Sequence, residues 1–202
     1  MKTTNTTAKK LTWTTFLFVT FISFTVKCQN SFTLPEGYQT FKDYDGKEQR
    51  ADGDFDGDGI SDLAILCSTE DQSQIVVIYL TSHYLVGGNY FWFPWQSEMN
   101  SFTFRNNVLT IDGAFDNGRY GTTLKLKYYA SIKNMKLIGY GDNYLGDYEN
   151  NGAYDKNINL NTGEYQVNGG VKKKISLDLI TLSNIEKYFD YLGQVGQNEI
   201  GK

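Results

Sequence analysis

From residue 29 onward the apolar residues of this chain come in short runs, and a turn signal follows almost every one. The runs are 63–67 (LAILC), 74–79 (QIVVIY), 89–93 (NYFWF), 101–105 (SFTFR), 108–111 (VLTI), 122–129 (TTLKLKYY), 136–140 (KLIGY), 157–160, 164–167 and 172–177. Between them stand Asn106-Asn107, Asn117-Gly118, Lys133-Asn134, Asn161-Thr162-Gly163 and Asn168-Gly169-Gly170. Gaps this short leave no room for the crossover that joins parallel strands, so neighbouring runs are expected to pair antiparallel. Composition agrees: Gly fills 20 positions and aromatics 15%, while Pro fills only 2, a balance that favours strands and turns. The expected fold is mainly β, an antiparallel, sandwich-like single domain.

Two runs say where the core lies. In 122–129, Leu124, Leu126 and Tyr128 alternate with Lys125, Lys127 and Tyr129, which predicts one buried and one wet face. The run 63–67 is apolar at every position and reads as a central strand. One helix is expected near the C-terminus. Ser183-Asn184-Ile185-Glu186 has the capping-box pattern, and Ile185, Tyr188, Phe189 and Leu192 follow at helical spacing with Gly193 able to close the end. The tail 193–202 is expected to fray. No internal repeat or low-complexity linker is evident.

The first 28 residues read as a secretory signal peptide. Lys2, Lys9 and Lys10 precede an apolar core of 11 residues, 16–26 (FLFVTFISFTV), which is short of the ~20 needed to span a bilayer. Val26-Lys27-Cys28 suits cleavage before Gln29. The chain is then secreted or periplasmic, with 29–202 as the mature domain and no remaining membrane span. The other readings are an uncleaved anchor, or a lipid-anchored protein modified at Cys28, against which Lys27 speaks. Cleavage removes four of the 19 basic residues and none of the 23 acids, taking the net charge from −4 to −8. Nucleic acid is not an expected partner at that charge. Cys67 is left as the single thiol, so no intramolecular disulfide can form.

Residues 52–62 read DGDFDGDGISD, with Asp52, Asp54, Asp56, Asp58 and Asp62 inside eleven positions and no basic residue among them. Carboxylates so crowded repel one another unless a cation sits between them. Counting from Asp54, side-chain oxygens fall at positions 1, 3, 5 and 9 (Asp54, Asp56, Asp58, Asp62), the carbonyl of Ile60 at 7, and Gly59 at the sharp turn of position 6. Hard oxygen ligands on a flexible loop suit Ca2+. Counting from Asp52 puts Ile60 at position 9, where its side chain offers no oxygen. An EF-hand is excluded, because position 12 is Ile65 and a strand follows where a helix should.

Residues 53–65, Gly53-Asp54-Phe55-Asp56-Gly57-Asp58-Gly59-Ile60-Ser61-Asp62-Leu63-Ala64-Ile65, resemble the FG-GAP (VCBS-type) repeat, the calcium-loop motif of integrin α-subunit propellers and many secreted bacterial proteins. The resemblance implies Ca2+ as cofactor with Asp54, Asp56, Asp58, Ile60 and Asp62 as its ligands. A propeller needs several such blades, and one clear copy is present. The layout that follows is similar to small secreted bacterial proteins carrying one such loop, then an aromatic hairpin, a KLIGYG-type strand and a segment like 159–163 (NLNTG). That likeness implies a fold and no activity.

Outside the loop the signals thin out. Residues 147–155 (DYENNGAYD) repeat the spacing 1, 3, 5, 6 and 9 and read either as a polar surface loop or as a second calcium site. The segment 90–95 (YFWFPW) puts aromatics on both faces of a strand. Phe91 and Phe93 can face the core, leaving Tyr90, Trp92 and Trp95 as a ligand-binding surface for a glycan or an envelope protein. His83 is the only histidine and Cys67 lies in an apolar run, so neither zinc chemistry nor a Ser-His-Asp triad is expected. A hydrolase using paired carboxylates, drawn from Asp112, Asp116, Asp142, Asp147 and Glu149, is the alternative. The leading expectation is a secreted, non-catalytic domain in which calcium is structural and a partner is bound elsewhere.

Overall fold

The computed structural model describes residues 32–81, 90–92, 99–147 and 152–200. The leader with Cys28, His83, Glu149, Phe93 and Trp95, and the side chains of Tyr90 and Trp92, lie outside the described residues. The described residues form twelve strands, β1 (Gln39–Thr40), β2 (Arg50–Gly53), β3 (Asp62–Ser68), β4 (Gln74–Tyr79), β5 (Tyr90–Trp92), β6 (Met99–Arg105), β7 (Val108–Phe115), β8 (Tyr120–Tyr129), β9 (Asn134–Tyr144), β10 (Tyr154–Asn159), β11 (Glu164–Val167) and β12 (Lys173–Lys174). All pair antiparallel, in two sheets. The first has the order β1-β3-β4-β5, with β2 also paired to β3; the second runs β12-β11-β10-β9-β8-β7-β6 in unbroken chain order.

The turn signals do the work that their chemistry allows. Asn106 and Asn107 both take left-handed backbone, φ 53° and 59°, as a two-residue hairpin between right-twisted strands requires. Asp116, Asn117, Lys133 and Asn168 are left-handed at the other hairpins of the second sheet. Strand alternation then places Phe102, Leu109, Ile111, Leu124, Leu126, Leu137, Tyr140 and Ile158 on one face of that sheet. They meet Ala51, Ala64, Leu66, Val76, Ile78 and Phe91 of the first sheet in one core. Burial of each large aliphatic side chain contributes about 1.5–3 kcal/mol. Between Lys125 and Leu126 the β8–β9 register shifts by one residue. Such a bulge keeps both Leu137 and Tyr140 facing inward.

The central strands of the first sheet, β3 and β4, are buried on both faces. Leu63, Ile65, Cys67, Ile75, Val77 and Tyr79 form a second apolar layer against which Phe32, Leu34 and Tyr38 pack. The Phe32 and Tyr79 rings lie 4.7 Å apart, and the Tyr79 hydroxyl donates to the carbonyl of Thr33 at 2.7 Å. Burial pushes the Cys67 thiol up to about 12, which makes it a core residue and no nucleophile. The outer face of the second sheet, by contrast, is polar, with Ser101, Asp112, Thr123, Asn143 and Asn157 along it.

Four local features differ from expectation. The strands β1 and β2 carried no apolar signal, since they pair with β3 through the backbone alone. The run 172–177 yields only Lys173–Lys174 as strand; Ile175 and Leu177 instead pack on the core. The C-terminal helix starts as a 3-10 turn, Ile185–Tyr188, and continues as α1 (Phe189–Gln194). No capping box forms: Asn184 is the N-cap residue without a side-chain cap bond, and the hydroxyl of Ser183 is 2.9 Å from that of Thr181. Gly193 lies within α1, and the left-handed residue beyond it is Gly196. The tail is tied down as far as Glu199, whose carboxylate accepts from Tyr165 at 2.8 Å and pairs with Lys173 at 2.8 Å.

At Gly53 of β2 the first sheet lies directly against the Phe104 ring of β6. A Cβ there would lie 2.4 Å from Cδ1 of Phe104. Gly53→Ala is expected to destabilise by about 1–3 kcal/mol through overpacking. A urea melt of the variant with an unchanged midpoint would show that the Phe104 ring swings aside freely.

Candidate metal centre

The acidic loop joins β2 to β3 and hangs on the core by two anchors. Phe55 is buried, its ring 4.8 Å from that of Phe104. Asp62 is 1% exposed; its Oδ2 accepts the N–H of Phe55 at 2.6 Å and its Oδ1 the N–H of Thr81 at 2.8 Å. Burial raises the Asp62 carboxyl above its ordinary value, those two N–H bonds pull the other way, and the Asp56 charge adds to the rise.

Between the anchors the loop curls around its own carboxylates. Asp54 Oδ1 accepts the N–H of Gly57 at 2.7 Å and of Asp58 at 3.0 Å, and its Oδ2 the N–H of Gly59 at 2.9 Å. Asp56 accepts from Asp58 at 3.1 Å, and Asp58 from Ile60 at 2.8 Å. Gly57 and Gly59 sit at φ 84° and 86°, where a Cβ would be strained. The result is that Asp54, Asp56 and Asp58 each offer an oxygen, all within 4.8 Å of one another. Asp62 is not in that group; its carboxylate is turned to backbone donors, those of Phe55 and Thr81, with the Asp56 amide also acting on it. Ile60 is exposed at the rim. Asp52 is held away from the loop by Arg50, whose guanidinium grips its two carboxylate oxygens while also meeting Glu48 at 3.2 Å.

Pattern reading of the loop missed Tyr128. Its hydroxyl is raised above the ordinary tyrosine range by burial and, after that, by the charges of Asp56, Asp58 and Asp62. Tyr128 faces inward on β8, some 70 positions along the chain; its alternation with Lys127 was the only hint.

The remaining candidates are scattered. Asp112 and Asp142 stand on opposite faces of the second sheet, since they oppose the adjacent β8 residues Thr123 and Thr122, so they do not share a cleft. Asp116 is a turn residue at φ 52°. In the 147–155 loop, residues 148–151 are outside the described residues, and the Asp155 carboxylate accepts from Asn157 at 3.1 and 3.3 Å. Phe91 is buried in the core. Tyr90, Trp92 and Trp95 belong to the undescribed side chains. Compared with known protein families, curated proteins and solved structures, the chain matches none.

Proposed function

We propose that this chain is a secreted, calcium-binding β domain in which the ion staples the loop 54–62 to the sheet and which works by binding a partner, without catalysis. The observation that supports this reading is the convergence of Asp54, Asp56 and Asp58 within 4.8 Å at the entrance to the central strand β3. Three anionic, hard oxygen donors on glycine-hinged backbone are the ligand chemistry of Ca2+, with the Ile60 carbonyl and Asp62 completing the set as the FG-GAP resemblance implies. An ion held there would neutralise the repulsion that three adjacent carboxylates create. A loop whose oxygens are all engaged with one ion has none left for a substrate, which makes the ion's role structural.

Titration calorimetry tests this directly. The protein is expected to bind one Ca2+ per chain, with Mg2+ far weaker because the smaller ion demands near-octahedral geometry. The double variant Asp56→Ala, Asp58→Ala is expected to lose the binding. Retention of Ca2+ by that variant would place the ion elsewhere and overturn the proposal.

A further inference from the structure

The polar outer face of the second sheet contains a hollow of about 380 Å³ between the ends of β6 to β9. That volume falls in the range of small-molecule sites, about 300–1,000 Å³. Its chemistry comes from Asp112, Thr123 and Asn143. The Thr123 hydroxyl donates to Asp112 Oδ1 at 2.6 Å, which fixes the carboxylate and leaves its second oxygen as an acceptor. Asn143 lies across Gly121: a Cβ at that glycine would be 2.4 Å from the Asn143 Oδ1. The missing side chain therefore lets the carboxamide lie flat over the sheet.

Beyond the hollow the same polar face continues along β9. Gly141 and Gly139 follow Asn143 on the same face, opposite Thr123 and Lys125. A Cβ at Gly139 would make only ordinary contact, 3.4 Å at the nearest, and one at Gly141 would come 3.3 Å from Thr123. Packing accounts for part of this, since a Cβ at Gly141 would crowd Thr123, whereas at Gly139 the contact with Lys125 is at the edge of the ordinary range. Glycine inside a strand weakens it, and one recurrent reason for its presence is close approach of a ligand. Here two glycines make a furrow with hydroxyl, carboxamide and lysine side chains beside it.

We infer that this trough binds a neutral oligosaccharide, with one sugar ring over Asp112, Thr123 and Asn143 and its neighbour over Gly141. A fixed carboxylate acceptor beside a carboxamide, which both donates and accepts, matches the vicinal hydroxyls of a pyranose. Among the described residues the hollow is lined by no cationic side chain and by one carboxylate, which disfavours an anionic ligand. The inference rests on the reading of the chain as a non-catalytic binding domain and names the ligand class of that domain.

The test is amide chemical-shift mapping of the 15N-labelled protein in Ca2+, with cellobiose, maltose and N,N′-diacetylchitobiose each added to about 20 mM, a range suited to millimolar affinity. At least one disaccharide is expected to give saturable shifts centred on residues 112, 123, 141 and 143. Asn143→Ala, which removes the carboxamide, and Gly141→Thr, which fills the furrow, are each expected to weaken it at least about tenfold. Asn143→Ala should melt near the parent temperature, Gly141→Thr should stay folded although its Cβ crowds Thr123, and both should keep the Ca2+ response, which separates loss of the sugar site from loss of the fold. No saturable shift with any of the three sugars, shifts centred on residues 90–92, or undiminished binding by both variants would overturn the assignment. The calcium proposal stands or falls separately, on the calorimetric titration of the same protein.

Discussion

Calcium at about one hundred times its dissociation constant is expected to stabilise this protein by about 2.7 kcal/mol, the linkage for a ligand that binds only the folded state. For a domain of this size each kcal/mol is about 2–4 °C of melting temperature, so the shift should be about 5–11 °C. EGTA should reverse it, and equimolar Mg2+ should give only a small part of it. Without the ion, Asp54, Asp56 and Asp58 face one another across less than 4.8 Å, and their repulsion opposes folding. The Asp56→Ala, Asp58→Ala variant should therefore melt in EGTA at or above the parent temperature, yet show no rise with Ca2+. A parent protein that does not respond, or a double variant that responds equally, would sink the calcium reading. Tyr128 offers a second readout, because the loop charges contribute to holding its hydroxyl up. Neutralising them with Ca2+ should lower its titration point.

The second large effect concerns a buried ion pair on the inner face of the second sheet. Lys156 is 0% exposed, and its Nζ lies 3.0 Å from Asp142 Oδ2. It also donates to the carbonyl of Gly193 at 2.6 Å, tying α1 to the sheet, and lies 5.7 Å from the centre of the Tyr140 ring. The Tyr154 hydroxyl donates to the other Asp142 oxygen at 3.1 Å. Asp142→Leu would leave a fully buried ammonium with no anionic partner, facing the Gly193 carbonyl and the Tyr140 ring. Stranding a buried charge in this way costs about 3–5 kcal/mol, about 6–20 °C of melting temperature. The double variant Asp142→Leu, Lys156→Met should recover most of that loss, because it removes the unpaired charge as well as the pair. A single variant costing under about 1 kcal/mol, or a double variant costing the sum of the two singles, would contradict this account.

The same pair carries a pH dependence with a definite sign. Burial pulls the Lys156 ammonium below its ordinary 10.5, against the attraction of Asp142. Between the depressed value and 10.5 the unfolded chain holds more protons than the folded one, so this group's contribution to stability rises with pH through that window. In Asp142→Leu the attraction is gone and the window opens further downward. The deficit of the variant, measured by urea melts between neutral pH and pH 10, should shrink as the pH rises.

Local chemistry was legible along the chain wherever it depended on neighbours in sequence. The alternation of Leu124, Leu126 and Tyr128 with Lys125 and Lys127, the left-handed Asn106-Asn107 turn, the unbroken apolar run of β3 and the grouping of Asp54, Asp56 and Asp58 are all patterns of residue order within about ten positions. Positions that depend on pairing across strands were not legible. Nothing in RADG marks β2 as a strand, because its partner β3 supplies every bond that makes it one. Lys156, in YDKNIN, reads as one more polar surface residue until the β9–β10 register sets it opposite Asp142. The capping-box pattern at Ser183 failed for a related reason. The Thr181 backbone and hydroxyl, held by their own bridge to β9, engage Asn184 and Ser183 before the helix can.

The sequence alone determined an antiparallel β protein with a carboxylate loop before its central strand, because strand period, turn backbone and charge crowding are all short-range. The tertiary structure alone decided what those elements face. It turned Asp62 to the amides of Phe55 and Thr81, set Asp112 and Asp142 on opposite faces, and laid Asn143 across Gly121. A strand's side chains point to alternate faces, so a shift of one residue in register exchanges core for solvent, and register is fixed only when all the strands close on one core.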